Sequence, residues 1–574
     1  MRHIVFREGM STFPVSILIK PSNLHKRDIT TYYIKPLVEQ GMKEEEFIAW
    51  ELKYDDKGKA PVKLIVSYLE TLLKAVKQVG SKYLLVADGA YFKKLTNERK
   101  TETAYGYVKP CTIKGYEDLQ IILVPNFAGL FYNPAIQSKI DLGLNALATA
   151  YKQKPITIGK NALRDVTYIK HDDPMYFKRV QDALDYLKQF KKLTIDIEGF
   201  SLEFYKAGIG TISFSWDKHS AITIQVDYDL FPFTSNDVPF YGEQWDNQKV
   251  KALLKRFFMD YKGTSIYHNI GYDGKVLVYE LFMGKDFFNY PGMMRGIETI
   301  CRDFEDTKLI TYLATNSCAG NTLGLKQNTH EFTGHYAQDD EDIKDIRRID
   351  LDPLMEYNAI DTCATFYLYE KYWDKMIDDL QQETYESIFK PSVKVIMQME
   401  LTGVPISMER VLEVEKELTG VRDGLHTKLK ANPIIKKLWY VLRQKESDKA
   451  HAKWKKKTAS IEDFNYVEFN PGSDQQLQIL LHEVMGYDVI DKTKSGAPSS
   501  GGDTLKKHLA RATDPDEIVV LESLIGLGEV SILINTFINA FKNSSILKDD
   551  GWHYLHGNFN LGGTVSGRLS SSKP

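Results

Sequence analysis

The amino-acid sequence predicts a multidomain α/β protein whose last third turns mainly helical. Three observations carry that expectation. At 574 residues the chain is too long for one hydrophobic core, so three or four domains are expected. Strand-like and helix-like runs alternate up to about residue 385, the pattern of sheets covered by helices. Beyond about 386 the alternation gives way to long helical periods, broken by a lysine-rich stretch. Boundaries are expected near 172, 385 and 555, dividing the chain into 1–172, 173–385, 386–555 and a short 556–574.

In the first stretch, ILI at 17–19, YLLVAD at 83–88 and QIILVP at 120–125 read as strands, and VKLIVSYLETLLKAVKQV reads as a helix. They predict a compact α/β domain. Next, MYFKRVQDALDYLKQF sets Tyr176, Val180, Ala183, Leu184 and Leu187 at helical spacing. It runs into the strand LTIDIEGF, followed at meander spacing by GIGTISFSW and SAITIQVDY. TSIYHNIGYDGKVLVYELF reads as a strand around Ile266 and then a helix with Val276, Leu277 and Leu281 in apolar positions. LMEYNAIDTCATFYLYEKY reads as a further helix. No internal repeat or low-complexity tract interrupts this order.

Composition excludes several classes. With 43 % hydrophobic and 26 % charged residues the chain is neither disordered nor fibrous. No apolar run approaches the roughly 18–20 residues that span a bilayer, and MRHIVFREGMSTF lacks the pattern of a secretory signal. Cys111, Cys301, Cys318 and Cys363 show neither a CxxC nor a metal-knuckle spacing, which points to a reducing compartment such as the cytoplasm. A net charge of −3 gives no global pull towards nucleic acid, so any such contact must come from local basic clusters.

The acids are more informative. Asp196 and Glu198 stand two apart on LTIDIEGF, so both side chains leave one face of the strand. Paired carboxylates repel, raise each other's pKa and attract a divalent cation. The same spacing recurs at Asp303/Glu305 and Asp339/Glu341, and a solvated strand-end pair explains it as well. Asp196 is distinguished by its apolar strand, with Leu193, Ile195 and Ile197, where an inward acid is costly without a partner. Asp273 opens the helix after Ile266, a place that also suits an acid through the positive helix end. Asn269 just before it reads equally as a cap or a turn residue. Tyr357 and Asp361 lie four apart on one helical face, as a core pair or as catalysts.

Taken together, Asp-x-Glu on a strand, Asn-x-x-x-Asp at a strand-to-helix junction and Tyr-x-x-x-Asp on a helix form an ordered set. The set resembles the proofreading 3′→5′ exonuclease of DNA polymerases, the tyrosine-bearing branch of the four-carboxylate nucleases. The resemblance implies a ribonuclease-H-like domain over 173–385, a mixed sheet with helices. It implies two divalent cations, Mg2+ or Mn2+, held by Asp196, Glu198, Asp273 and Asp361, with Tyr357 orienting the attacking water. Leu202 matches the family's wedge against the terminal base, and Asn269 is placed against DNA on the same likeness. Phosphodiester hydrolysis gives these residue types a purpose. It needs a water of lowered pKa, charge stabilisation at the phosphorane and a clamp on the attacking and leaving oxygens. Hard carboxylate oxygens suit the cations that supply these.

Further matches follow. VKVIMQMELTGVPISMERV (with Gly403, Val404 and Pro405 at a turn), FNPGSDQQLQILL from Phe469, KSGAPSSGGDTL from Lys494 and HGNFNLGGTVSGRLSSSKP occur in that order. They resemble the segments by which family A (Pol I-like) DNA polymerases of bacteriophage type leave the nuclease, build a mainly helical thumb and begin the palm. Ser499, Ser500 and Gly501 depart from the family's usual Ser-Thr-Asp run, and Ser566 stands where threonine is commoner. Arg568 is placed by the resemblance on the DNA backbone or primer terminus. The basic insert VLRQKESDKAHAKWKKKTAS holds Arg443, Lys445, Lys449, Lys453, Lys455, Lys456 and Lys457 against Glu446 and Asp448. It reads as a solvated face or as a phosphate track at the thumb tip, with Trp454 available to stack.

The resemblance thus implies the proofreading and thumb portion of a replicative DNA polymerase acting on single-stranded 3′ ends and primer-template DNA in the host cytoplasm. The family's palm acids and fingers helix fall beyond Pro574, so a second chain carrying them is expected as partner, with a processivity factor as a further candidate. Two other readings stand beside it: a free-standing nuclease on RNA or repair intermediates, and a noncatalytic DNA-binding subunit. YLLVADGAYFKKLT and ILVPNFAGLFYNPAIQSKI resemble N-terminal α/β domains of some bacteriophage polymerases, and also uracil-DNA-glycosylase-like folds. They show no catalytic pattern, and 1–172 is expected to be noncatalytic.

Overall fold

The computed structural model describes the chain apart from residues 103, 157–158, 160–161, 229–247, 316–321, 335–345, 454–459, 494–495 and 573–574. Two compact units result, Met1–Leu401 with Phe559–Ser570, and Thr402–Asn558 with Ser571–Pro574.

The first unit holds two six-stranded sheets. Strands β1 (His3–Val5), β2 (Val15–Ile19), β3 (Phe47–Glu51), β4 (Tyr83–Val86), β5 (Val108–Pro110) and β6 (Gln120–Leu123) lie in the order β1-β3-β2-β4-β6-β5. The inner four are parallel, and β1 and β5 close the edges antiparallel. Parallel strands must be covered on both faces, and alternate residues of β2 show it. Val15, Ile17 and Ile19 enter a core with Tyr33, Leu144 and Leu147. Leu18 enters another with Leu69, Leu72 and Phe92. The helix expected from VKLIVSYLETLLKAVKQV forms over Val62–Gln78 and buries Ile65, Leu69, Leu72, Leu73 and Val76 at helical spacing.

The second sheet contains β7 (Asp165–Ile169), β8 (Lys192–Glu198), β9 (Thr211–Ser215), β10 (Ser220–Gln225), β11 (Thr264–Tyr267) and β12 (Phe304–Asp306). Its order is β12-β11-β8-β9-β10-β7. The meander read from the sequence is present as antiparallel β8, β9 and β10, with β11 and β12 added in parallel beside β8. Strand β7, which the sequence reading did not identify, pairs in parallel with β10.

This sheet has two unlike faces. One carries Leu193, Ile195 and Ile197 of β8, Ile212 and Phe214 of β9 and Ile222 and Ile224 of β10, all in the same apolar core. There Phe214 meets Phe257 of the Gln248–Asp260 helix, ring centres 5.3 Å apart. The other carries Thr194, Asp196 and Glu198, Thr211, Ser213 and Ser215, and Thr223 and Gln225. A 28-residue helix, Leu351–Asp378, lies over this polar face.

The second unit is mainly helical. Helices Met408–Ala431, Pro433–Lys453 and Pro515–Ile532 contribute Leu429, Leu438 and Leu521 to one core, which Leu480 joins. A small antiparallel sheet, β13 (Val404–Ile406), β14 (Ser545–Leu547) and β15 (His553–Leu555), runs in the order β13-β15-β14. Of the expected Gly403-Val404-Pro405 turn, Gly403 makes the bend, at φ +73° with the His556 ring 2.9 Å from where a Cβ would stand. Val404 and Pro405 already belong to β13. Among the described residues no helix is long and apolar enough to cross a membrane.

Candidate metal centre

Three carboxylates converge where β8 ends. Asp196 and Glu198 leave its polar face, and Asp361 projects from the Leu351–Asp378 helix, with one oxygen from each within 4.8 Å of the others. Among the described residues this is the one group of three or more potential ligands so disposed.

Small hydroxyls place the helix over the strands. Thr194 Oγ1 donates to the Thr362 carbonyl at 2.9 Å, and Ser213 Oγ shares a 3.0 Å hydrogen bond with Thr362 Oγ1. Thr211 Oγ1 donates to Asn358 Oδ1 at 3.1 Å, and Asn358 Nδ2 donates to Asp196 Oδ2 at 2.6 Å. In the β8–β9 register, Ser213 faces Asp196 and Thr211 faces Glu198. Asn358 and Thr362, one helical turn apart, therefore read the strand positions directly opposite the two acids.

Asp273 reaches the same place from β11. It lies in the first turn of the Ile270–Leu277 helix, buried, with Oδ1 accepting the Ile197 N–H between the two β8 acids at 3.2 Å. Asp306 fixes where that helix starts. Its carboxylate caps the Thr307–Ala314 helix through the Lys308 and Leu309 N–H groups, and also accepts the N–H groups of Asn269 and Ile270 at 3.0 and 3.1 Å. The strand end itself sits close to the Asp273 helix. A Cβ at Gly199 would lie 2.5 Å from the Tyr272 hydroxyl, which donates to the Ser201 carbonyl.

Crowding four acids has an electrostatic signature. Burial holds the Asp196 carboxyl well above the ordinary carboxylate range, and Asp273, Asp361 and Glu198 push it further, while the Asn358 hydrogen bond opposes them. Asp273 is pushed up to about 7, first by burial, with Asp306 and Asp361 adding repulsion against the relief given by the Ile197 N–H. Clustered hard oxygens that resist joint ionisation fit a divalent cation, whose charge removes the repulsion. Asp196, Glu198 and Asp361 would hold it, with Asp273 beside them.

The remaining expected residues fall at different distances from this chemistry. Tyr357 lies one turn before Asp361, and the Lys326 ammonium donates to its hydroxyl while lying 4.1 Å from its ring centre. Leu202, four residues beyond Glu198, is 79 % exposed. Asn269 occupies the cap position of the Asp273 helix in the left-handed conformation, φ 70°, and its side chain does not cap. Its Oδ1 instead accepts from Lys308 Nζ at 3.0 Å. Arg568 is exposed in the Phe559–Ser570 segment.

In the basic insert, Lys453 ends a helix with its side chain outside the described residues, and Trp454, Lys455, Lys456 and Lys457 lie wholly outside them. Three other cations of the insert are engaged within their own unit. Arg443 donates to the Asn465 and Val467 carbonyls, Lys445 pairs with Glu483, and Lys449 pairs with Glu446.

Of the competing Asp-x-Glu pairs, Glu305 pairs with Lys390 at 3.3 Å, Asp303 accepts the Thr264 hydroxyl, and Asp339/Glu341 lies outside the described residues. The sequence reading missed Asn358, Thr211, Ser213, Thr362 and Asp306. Two signals were present: Thr/Ser at every second position of β9, and an Asp immediately before the Thr-Lys-Leu helix start.

Comparison with known proteins adds the following. Residues 441–574 match the family model of DNA polymerase family A. The chain is 30 % identical over 241 residues to a DNA polymerase of Bacillus phage SP01, covering 39 % of this chain and 25 % of that one. It is 25 % identical over 327 residues to a DNA polymerase of Escherichia phage T5, covering 54 % and 33 % respectively. DNA polymerase I of Bacillus subtilis (strain 168) is 26 % identical over 285 residues, 49 % of this chain and 27 % of that one. The chain thus spans about a quarter to a third of the length of these relatives. Over residues 441–574 the chain is similar to the family A DNA polymerases.

Proposed function

We propose that this chain serves DNA replication as a family A DNA polymerase polypeptide whose residues 173–385 form a 3′→5′ proofreading exonuclease. In this reading 1–172 is a noncatalytic α/β domain, 386–555 leads into and builds the DNA-binding thumb, and 556–574 begins the palm. The observation that carries the nuclease is the convergence of Asp196, Glu198 and Asp361 within 4.8 Å, with Asp273 hydrogen-bonded to the backbone between the first two. The sheet supports a ribonuclease-H-like fold, since a three-strand meander gains two parallel strands beside its first strand.

Two divalent cations, when bound, would supply charge neutralisation at the phosphate and activation of water. Asp196, Glu198 and Asp361 would hold them, together with the adjoining Asp273. The chain's other residues position the reactants. Tyr357 lies one helical turn before Asp361 and receives a hydrogen bond from Lys326; a phenol hydroxyl there suits the orienting of water or of a phosphate oxygen. Leu202 offers an exposed apolar surface to the terminal base of a single-stranded 3′ end.

Digestion of an end-labelled oligonucleotide in Mg2+ or Mn2+ tests the reading. Asp196→Ala should lower the rate by roughly three orders of magnitude or more, the effect of losing a metal ligand. Tyr357→Phe, which leaves every carboxylate in place, should cost less. Wild-type speed from Asp196→Ala would overturn the assignment.

A further inference from the structure

Asn358 stands between Tyr357 and Asp361 on the Leu351–Asp378 helix, fully buried, where the sheet's polar face meets the helix. A buried amide between a carboxylate oxygen and a hydroxyl has to commit each end, because an unsatisfied buried donor or acceptor is costly. Its Oδ1 accepts the Thr211 hydroxyl at 3.1 Å, and its Nδ2 donates to Asp196 Oδ2 at 2.6 Å. The reverse orientation would set an amide oxygen against a carboxylate oxygen and an amide N–H against the side of Thr211 that donates. Thr211 in turn is held in β9 opposite Glu198, the second acid of the strand. The relay therefore ties one oxygen of Asp196 to a strand position fixed by backbone pairing.

We infer that Asn358 is a positioning residue that presets the Asp196 carboxylate for metal, with Thr211 fixing the amide's direction. This rests on the metal-dependent reading of the site. By engaging Oδ2, the amide restricts rotation of the carboxylate and leaves Oδ1 for the cation. The orientation exists before metal arrives, so the carboxylate loses less freedom on binding. A neutral amide does this where a fifth acid would add repulsion. Unlike Tyr357, Asn358 is too deeply buried to touch nucleic acid, and its effect is confined to the metal.

The test uses the full chain and Mn2+ alone, followed by the loss of the free-ion electron paramagnetic resonance signal without nucleic acid. Asn358→Ala should weaken Mn2+ binding about tenfold or more, the usual consequence of removing a hydrogen-bond partner of a metal ligand. Thr211→Val, which keeps the shape and removes only the hydroxyl that orients the amide, should weaken it in the same direction by a smaller factor. Exonuclease activity should show raised half-saturating Mg2+ in both variants, with the rate at saturating Mg2+ largely restored.

Asp196→Ala is the control. Wild-type Mn2+ affinity in that variant would remove the metal reading itself. Loss of binding in Asp196→Ala together with wild-type affinity in Asn358→Ala would overturn the role of Asn358 alone. Should Asn358→Ala not fold, Thr211→Val decides by the same measurement. A rate that excess Mg2+ does not restore, alongside unchanged Mn2+ affinity, would make Asn358 merely structural and refute the inference.

Discussion

Replacing Asp273 by asparagine should stabilise the metal-free protein above neutral pH and remove the stabilisation that Mg2+ gives. Asp273 is only 4 % exposed, and its carboxyl is pushed from 3.8 up to about 7, chiefly by burial. A carboxyl raised in the folded state contributes its full stability below the unfolded pKa and loses it as the pH rises through the folded one. The window here runs from about 4 to about 7. At ~1.4 kcal/mol per tenfold change in proton affinity, ionising this one group in the fold costs on the order of 4 kcal/mol. Asparagine keeps the shape and an oxygen for the Ile197 N–H but carries no charge to repel Asp196 and Asp361.

Thermal unfolding at about pH 5 and pH 8, each in chelator and in Mg2+, provides the assay. The wild-type chain should melt lower at pH 8 than at pH 5 in chelator, and Mg2+ at a hundred times its dissociation constant should return ~2.7 kcal/mol. Where roughly 150–250 residues unfold together each kcal/mol moves the midpoint by roughly 2–4 °C, so the differences lie within easy reach of measurement. Asp273→Asn should melt above wild type in chelator at pH 8, by a clearly smaller margin at pH 5, and respond little to Mg2+. A variant that melts below wild type at pH 8 in chelator, or that gains as much from Mg2+, would refute the electrostatic account of this site.

Two further expectations concern what holds the site. Asp306→Ala removes the acceptor of backbone N–H groups at the start of two helices and should cost roughly 2–4 kcal/mol in urea unfolding; a change below about 1 kcal/mol would show that those helix starts are held by other groups. Lys275, two residues beyond Asp273, pairs at 2.6 Å with buried Glu400, which also accepts the Phe559 N–H. Glu400→Gln keeps an acceptor for Phe559 but takes the charge from Lys275, and should destabilise by about 3–5 kcal/mol, with Lys275→Met/Glu400→Leu recovering most of the loss. A double variant no more stable than Glu400→Gln would contradict that explanation.

The sequence by itself marked most of the elements and singled out Asp196, Glu198, Asp273 and Asp361. Period-two patterning in LTIDIEGF and its two successors decided which residues share a strand face, because alternate side chains leave a strand on opposite sides. The four-residue step from Tyr357 to Asp361 decided a common helical face in the same way. These are local rules, and motifs read in order added the rest. Only the tertiary structure decided which of the two described Asp-x-Glu pairs meets a third acid, since that depends on β8 lying centrally with the Leu351–Asp378 helix across its polar face. It also decided that Asp306, remote in sequence, starts the helix that delivers Asp273. Asn358 shows the reason most plainly. Its neighbours in the chain say nothing of Thr211 or Asp196, which lie 147 and 162 residues away; strand register and the helix packed across the sheet together bring all three within hydrogen-bonding distance.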